Sequence, residues 1–202
     1  MIPAKNMASR KRLTRRKFLQ TAAAAAATPY LASCTGGPPS PFRCLTPQEA
    51  RTAEAVCETI IPADQDAAGV AWPGASWAGV VHYIDRQLSG PYQDHRPSYR
   101  LGLAGVDEAS MALGGKPFTD LAPEDRVKIL AALEKNEAPG ETWKKIPASQ
   151  FFALIVDHTL QGFYGDPRHG GNRDGISWKM LAIPYPPIRG QRRSRFGGAR
   201  QD

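Results

Sequence analysis

Residues 162–180, Gly-Phe-Tyr-Gly-Asp-Pro-Arg-His-Gly-Gly-Asn-Arg-Asp-Gly-Ile-Ser-Trp-Lys-Met, limit the fold of this chain more than any other stretch. Five glycines and one proline lie within it. They call for backbone angles that a residue with a Cβ reaches only at a cost, so the pattern predicts a shaped loop rather than a helix or strand. Just before it, residues 147–161 distribute Phe151, Phe152, Leu154, Ile155, Val156 and Leu160 almost all round a helix. A helix apolar on most sides is a central one. The chain must therefore bury this helix and hold a fixed loop at its end.

Between the turn formers stand Asp166, Arg168, His169, Asn172, Arg173 and Asp174, flanked by the aromatic residues Phe163, Tyr164 and Trp178. Two uses compete. In the commoner one the loop satisfies itself, with Asp and Asn closing turns and Arg pairing with Asp. In the other it is a partner interface made by Tyr164, Asp166, Arg168, His169, Asn172, Arg173 and Trp178, with the aromatic residues as anchors.

The remaining periodicity is helical. Thr46-Pro47-Gln48-Glu49 combines an N-cap, proline at the first helical position and glutamate three residues after the cap. Ala50, Ala53, Val56, Cys57, Ile60 and Ile61 follow on one face, and Pro62 ends the helix. Residues 64–74 read as loop; Asp64 and Asp66 lack the full calcium-loop pattern and fit solvated turn carboxylates better. Ser76 is expected to cap a second helix carrying Val80, Val81, Ile84 and Leu88, which stops at Ser89-Gly90-Pro91. A third, over 98–113, aligns Tyr99, Leu103, Val106 and Leu113. Leu121-Ala122-Pro123 opens a fourth with Val127, Ile129, Leu130 and Leu133. No strand-period run of similar length appears, which predicts an all-α single compact domain of five to six helices over residues 45–187.

Charge divides the chain. The 202 residues hold 26 basic and 19 acidic side chains. Lys5, Arg10, Lys11, Arg12, Arg15, Arg16 and Lys17 lie in residues 1–33, which contain no acid, so the rest balances to zero. A neutral body has no electrostatic footprint for nucleic acid. Residues 188–202 form a basic tail, expected to be disordered. Thr14-Arg15-Arg16-Lys17-Phe18-Leu19, followed by a weakly apolar alanine-rich run, fits a twin-arginine export signal in which Arg15 and Arg16 address the twin-arginine translocase. Leu31-Ala32-Ser33-Cys34 reads as a lipobox, giving a leader over 1–33 and lipid on Cys34; cleavage after Ala27 is the alternative. Residues 34–44, rich in Gly, Pro and Ser, then form a flexible tether. The expected location is periplasmic and membrane-associated through the lipid anchor.

Chemical motifs are sparse. No dinucleotide G-x-G-x-x-G, covalent haem C-x-x-C-H, G-x-S-x-G or H-E-x-x-H occurs. Asp157, His158, Asp166 and His169 are the best candidates for an acid/base or metal site, although no fixed helical spacing unites the histidines. Of the three cysteines, Cys57 lies on the apolar stripe. A helix beginning near Thr46 carries it about 16 Å from the helix start, beyond the ~7 Å that a bridge to Cys44 allows. Cys44 is instead a candidate for a disulfide to a partner subunit.

Gly165-Asp166-Pro167-x-x-Gly170-Gly171-Asn172, then Trp178-Lys179-Met180, after a Phe-rich helix, resembles the C-terminal signature of the gluconate 2-dehydrogenase subunit 3 family. Ser177 stands where that pattern has glycine, and Leu181-Ala182-Ile183-Pro184-Tyr185-Pro186-Pro187 replaces a shorter ending. The resemblance implies a non-catalytic small subunit that binds no cofactor itself. Its partners would be an FAD-binding large subunit of the glucose-methanol-choline (GMC) type and a multihaem cytochrome c carrying haem c. The small subunit would serve export, maturation and stability of the large one. The competing expectation is a free-standing lipid-anchored enzyme using the Asp166/His169 loop, with or without metal.

Overall fold

The computed structural model describes residues 41–182. Arg15, Arg16, Cys34, residues 183–187 and the basic tail lie outside the described residues. Within them the chain forms seven α-helices: α1 Pro47–Ile60, α2 Ala75–Ala78, α3 Val80–Leu88, α4 Arg96–Gly114, α5 Pro123–Glu134, α6 Ala148–Tyr164 and α7 Ile176–Met180. The domain is all-α apart from one small hairpin, β1 Asp64–Gln65 paired antiparallel with β2 Ala71–Trp72.

The α1 start follows its sequence signature. Thr46 Oγ1 accepts from Glu49 N at 3.2 Å and the Glu49 carboxylate accepts from Thr46 N at 2.7 Å. This reciprocal box satisfies two orphan donors of the first turn, and losing such a cap costs about 0.5–2 kcal/mol. Ala50, Ala53, Val56 and Cys57 are buried as their spacing requires.

Helix α6 is the centre of the fold and touches each of the other six α-helices. Phe151, Ile155 and Phe163 are fully enclosed on it. Burial is not complete all round, because Leu160 is exposed. Tyr99 of α4 packs edge-on against Phe151 of α6, and Leu103 and Val106 of α4 with Ile129, Leu130 and Leu133 of α5 join the same core.

Four expectations need correction. The second helix is broken: Gly79 adopts a left-handed φ of 75°, dividing α2 from α3, and Ser76 lies inside α2 rather than capping it. Ser76 N instead donates to Glu58 Oε2 at 2.8 Å, so a carboxylate from α1 serves the start of α2. Leu113 is 60% exposed because α4 overruns its packed face before Gly115 stops it, and Val127 of α5 lies on the solvent side of its helix while Ile129, Leu130 and Leu133 are buried. The stretch 64–74 is not wholly loop, since Asp66 accepts from Ala68 N, Val70 N and Trp72 Nε1 and thereby folds the hairpin. Those bonds match the turn-carboxylate reading. Finally, residues 162–164 belong to α6, and the loop proper consists of two 3-10 turns, Pro167–His169 and Arg173–Gly175, leading into α7.

Packing begins earlier than the sequence boundary at Leu45. Asp85, buried on α3, accepts backbone N–H groups from Arg43 at 2.7 Å, Cys44 at 2.8 Å and Leu45 at 2.9 Å. Phe42 stacks on His82 with ring centroids 5.1 Å apart. One carboxylate thus fixes the strand of chain that leads into the domain.

Candidate functional site: the loop after the central helix

A helix ends with carbonyls that lack intrahelical donors, and the loop supplies them at the end of α6. Gly165 N donates to Gln161 O at 2.8 Å. Trp178 Nε1, arriving from α7, donates to Tyr164 O at 2.9 Å. Asn172 Nδ2 donates to Gly165 O at 2.7 Å. The other end of the Asn172 amide accepts from Ser177 N at 3.0 Å and from Ser177 Oγ at 2.9 Å. One side chain, 0% exposed, therefore joins the end of α6 to the start of α7.

The backbone explains the residue types. Asn172 and Asp174 sit at φ 45° and 56°, a region that Asn and Asp tolerate better than most side chains do. At Gly171 the need is space: a Cβ there would lie 2.1 Å from Gly162 O. Loop and helix touch backbone to backbone at that point, so Ala at Gly171 would push the loop off α6.

Asp166 caps the first 3-10 turn by accepting from Arg168 N at 3.0 Å. Its carboxylate also accepts from Arg168 Nε at 3.0 and 2.9 Å and from Arg168 Nη2. Those Arg168 hydrogen bonds hold its pKa down at about 2. The Arg168 carbonyl in turn accepts from Arg86 Nη1 of α3 at 3.0 Å. Asp166 and Arg168 are a closed pair in solvent, and such pairs add little stability.

The seven interface candidates therefore separate. Asn172 and Trp178 point inward and hold the loop, while Asp166 and Arg168 satisfy each other. Tyr164, His169 and Arg173 remain on the surface. Arg173 extends over Trp77, with its guanidinium carbon 5.6 Å from the ring centroid. Trp77 is 43% exposed. Together with Trp72, Pro73 and Ile176 it lines a shallow groove of about 710 Å³ between the hairpin and α7.

Trp77 is the functional candidate that sequence reasoning missed. It lies three and seven residues before Val80 and Ile84, so an unbroken helix would place it on their buried stripe. The turn at Gly79 leaves it in solvent. A glycine inside a helical pattern was the available signal.

The acid/base candidates do not assemble. His158 is 3% exposed; its Nδ1 is 2.9 Å from Tyr99 Oη, and its ring stacks on Tyr92 at 4.7 Å. Asp157 Oδ2 accepts from Gln161 Nε2 at 2.7 Å, and Gln161 Oε1 accepts from the hydroxyls of Tyr83 and Tyr92. His158 belongs to this buried aromatic network, and His169 to the exposed loop. Among the described residues no three His, Cys, Asp or Glu side chains gather as a ligand set. Cys57 is enclosed, receives a hydrogen bond from Thr159 Oγ1 at 3.2 Å, and burial pushes its thiol up to about 12. Such a thiol is inert. Cys44 is partly exposed and lies 3.4 Å from Ser89 Oγ.

Residues 47–184 match the family model described as gluconate 2-dehydrogenase subunit 3. The chain belongs to that family. Comparisons with curated proteins and with solved structures give no match.

Proposed function

We propose that this member of the family is the small, non-catalytic subunit of a membrane-associated flavoprotein dehydrogenase complex, and that it docks its large subunit through Trp77, Arg173 and the groove beside Ile176, with the exposed Tyr164 as a further contact. The observation that carries the docking reading is Trp77, a large aromatic residue left in solvent with a cation over its ring and an apolar groove alongside. Trp, Tyr and Arg are the residues that dominate binding hot spots. The inward loop residues fit the same reading: they fix a backbone shape, and a fixed shape lowers the entropy lost on association.

In this reading FAD sits in the large GMC-type subunit and a multihaem cytochrome c accepts its electrons. The small subunit contributes carriage and support. Twin-arginine export moves folded proteins, so one signal at Arg15-Arg16 takes out a large subunit that has already bound FAD, and lipid on Cys34 keeps the assembly at the periplasmic face of a membrane. Among the described residues no helix is long and apolar enough to cross a membrane, so attachment in this account falls to the lipid and the partners.

Export gives the test. Arg15→Lys with Arg16→Lys should leave both this chain and the flavoprotein in the cytoplasm, read by fractionation and FAD fluorescence. Normal periplasmic dehydrogenase activity in that double variant would defeat the carrier role. Cys34→Ser should move the mature chain from membrane to soluble fraction when the partners are absent, and mass spectrometry showing an unmodified N-terminus at Thr28 would reject the anchor.

A further inference from the structure

Away from the loop, a cavity of about 140 Å³ opens between residues 43–45, α1, α3 and α4. Leu45, Leu88 and Tyr99, all buried, are its apolar lining residues. Three arginines border it: Arg43, Arg96 and Arg100. Arg96 Nε donates to Leu88 O at 2.6 Å, which fixes that side chain against the wall. Among the described residues neither Arg43 nor Arg100 forms an ion pair. The one carboxylate on the rim, Glu49, already accepts from Thr46 N as part of the α1 capping box.

Three arginines stand against two carboxylates already committed to backbone N–H groups, Glu49 on the rim and Asp85 behind residues 43–45, which leaves a net positive charge at the recess. Like charges brought together repel, and a concave site concentrates their field. The arrangement suits an anion that accepts several planar N–H donors at once, which is the geometry arginine offers to phosphate. The volume is about that of four to five waters, at roughly 30 Å³ each, enough for a phosphate group with its first ester carbons. We propose that this cavity binds a phosphate group.

Position distinguishes the two sources of such a group. Arg43 lies nine residues after Cys34, so the chain between them spans at most about 32 Å. If Cys34 carries lipid, as proposed above, the recess stays within reach of phospholipid headgroups; a soluble phosphate ester would need no anchor. The pocket itself stands independently of the anchor and of the dehydrogenase reading.

Cys44 borders the same recess and reports its occupancy. In the full-length chain carrying Cys34→Ser, Cys44 is the thiol open to alkylation, because Cys57 is enclosed. Inorganic phosphate should slow iodoacetamide labelling of Cys44 severalfold relative to sodium chloride at equal ionic strength. Arg43→Gln with Arg100→Gln should remove that protection without lowering the melting temperature, since both side chains are exposed. Phosphatidylglycerol vesicles protecting where phosphatidylcholine vesicles do not would assign a lipid headgroup; protection by inorganic phosphate alone would assign a soluble ligand. Equal labelling rates in every medium, or protection that survives in the double variant, would overturn the proposal.

Discussion

Asn172 shows how much of the loop rests on one side chain. Its amide makes three hydrogen bonds inside the protein. Removing it leaves the buried N–H and hydroxyl of Ser177 and the part-buried Gly165 carbonyl without this partner. Leaving a buried polar group unpaired costs about 1–3 kcal/mol, so Asn172→Ala should lower unfolding free energy by about 2–4 kcal/mol in urea titrations; a loss below about 1 kcal/mol would show that the loop is held otherwise. His158 gives a pH dependence. Burial pulls its pKa below the ordinary histidine value, nearby His95 adds to this, and Asp157 opposes it. The unfolded chain therefore takes a proton more readily than the native one, and the His158 contribution is complete above about pH 6.5 and is lost as pH falls through the lowered native value. The urea midpoint should drop between pH 7.5 and 5, and His158→Gln should flatten that drop. An equal drop in the variant would place the titration elsewhere.

At the scale of elements, the parts that were legible in the sequence are those fixed by local chemistry. Thr46-Pro47-Gln48-Glu49 starts α1 where its capping box requires, and the apolar residues of 147–161 mark the helix that all others touch. What was hidden depended on distant partners. The turn at Gly79 separates α2 from α3, but the apolar spacing on either side also suits an uninterrupted helix. Asp85 reads as one more polar position on α3, and only the fold brings Arg43, Cys44 and Leu45 to its carboxylate. The candidate loop was legible as a shaped segment, while the division between inward Asn172 and Trp178 and outward Arg173 required the end of α6 in place. Gly79→Ala tests the break. A Cβ there meets nothing closer than 3.5 Å, so the cost is backbone strain alone, about 1–2 kcal/mol for a left-handed residue. A variant as stable as the parent would contradict the conformation assigned to this turn.

For the whole molecule, the described residues form one helical domain in which the histidine and carboxylate candidates are largely occupied with other side chains, and in which Trp77 stands exposed with Arg173 over its ring. That distribution suits a subunit that holds a partner. Co-purification with quantified affinity tests this association most directly. The full-length chain should capture the catalytic subunit of its dehydrogenase complex, proposed above to carry FAD, and Trp77→Ala with Arg173→Ala should weaken that association by about 1–4 kcal/mol, the range of hot-spot losses, while turnover per assembled complex stays unchanged. Dehydrogenase turnover by this chain alone, or undiminished capture by the double variant, would contradict the account.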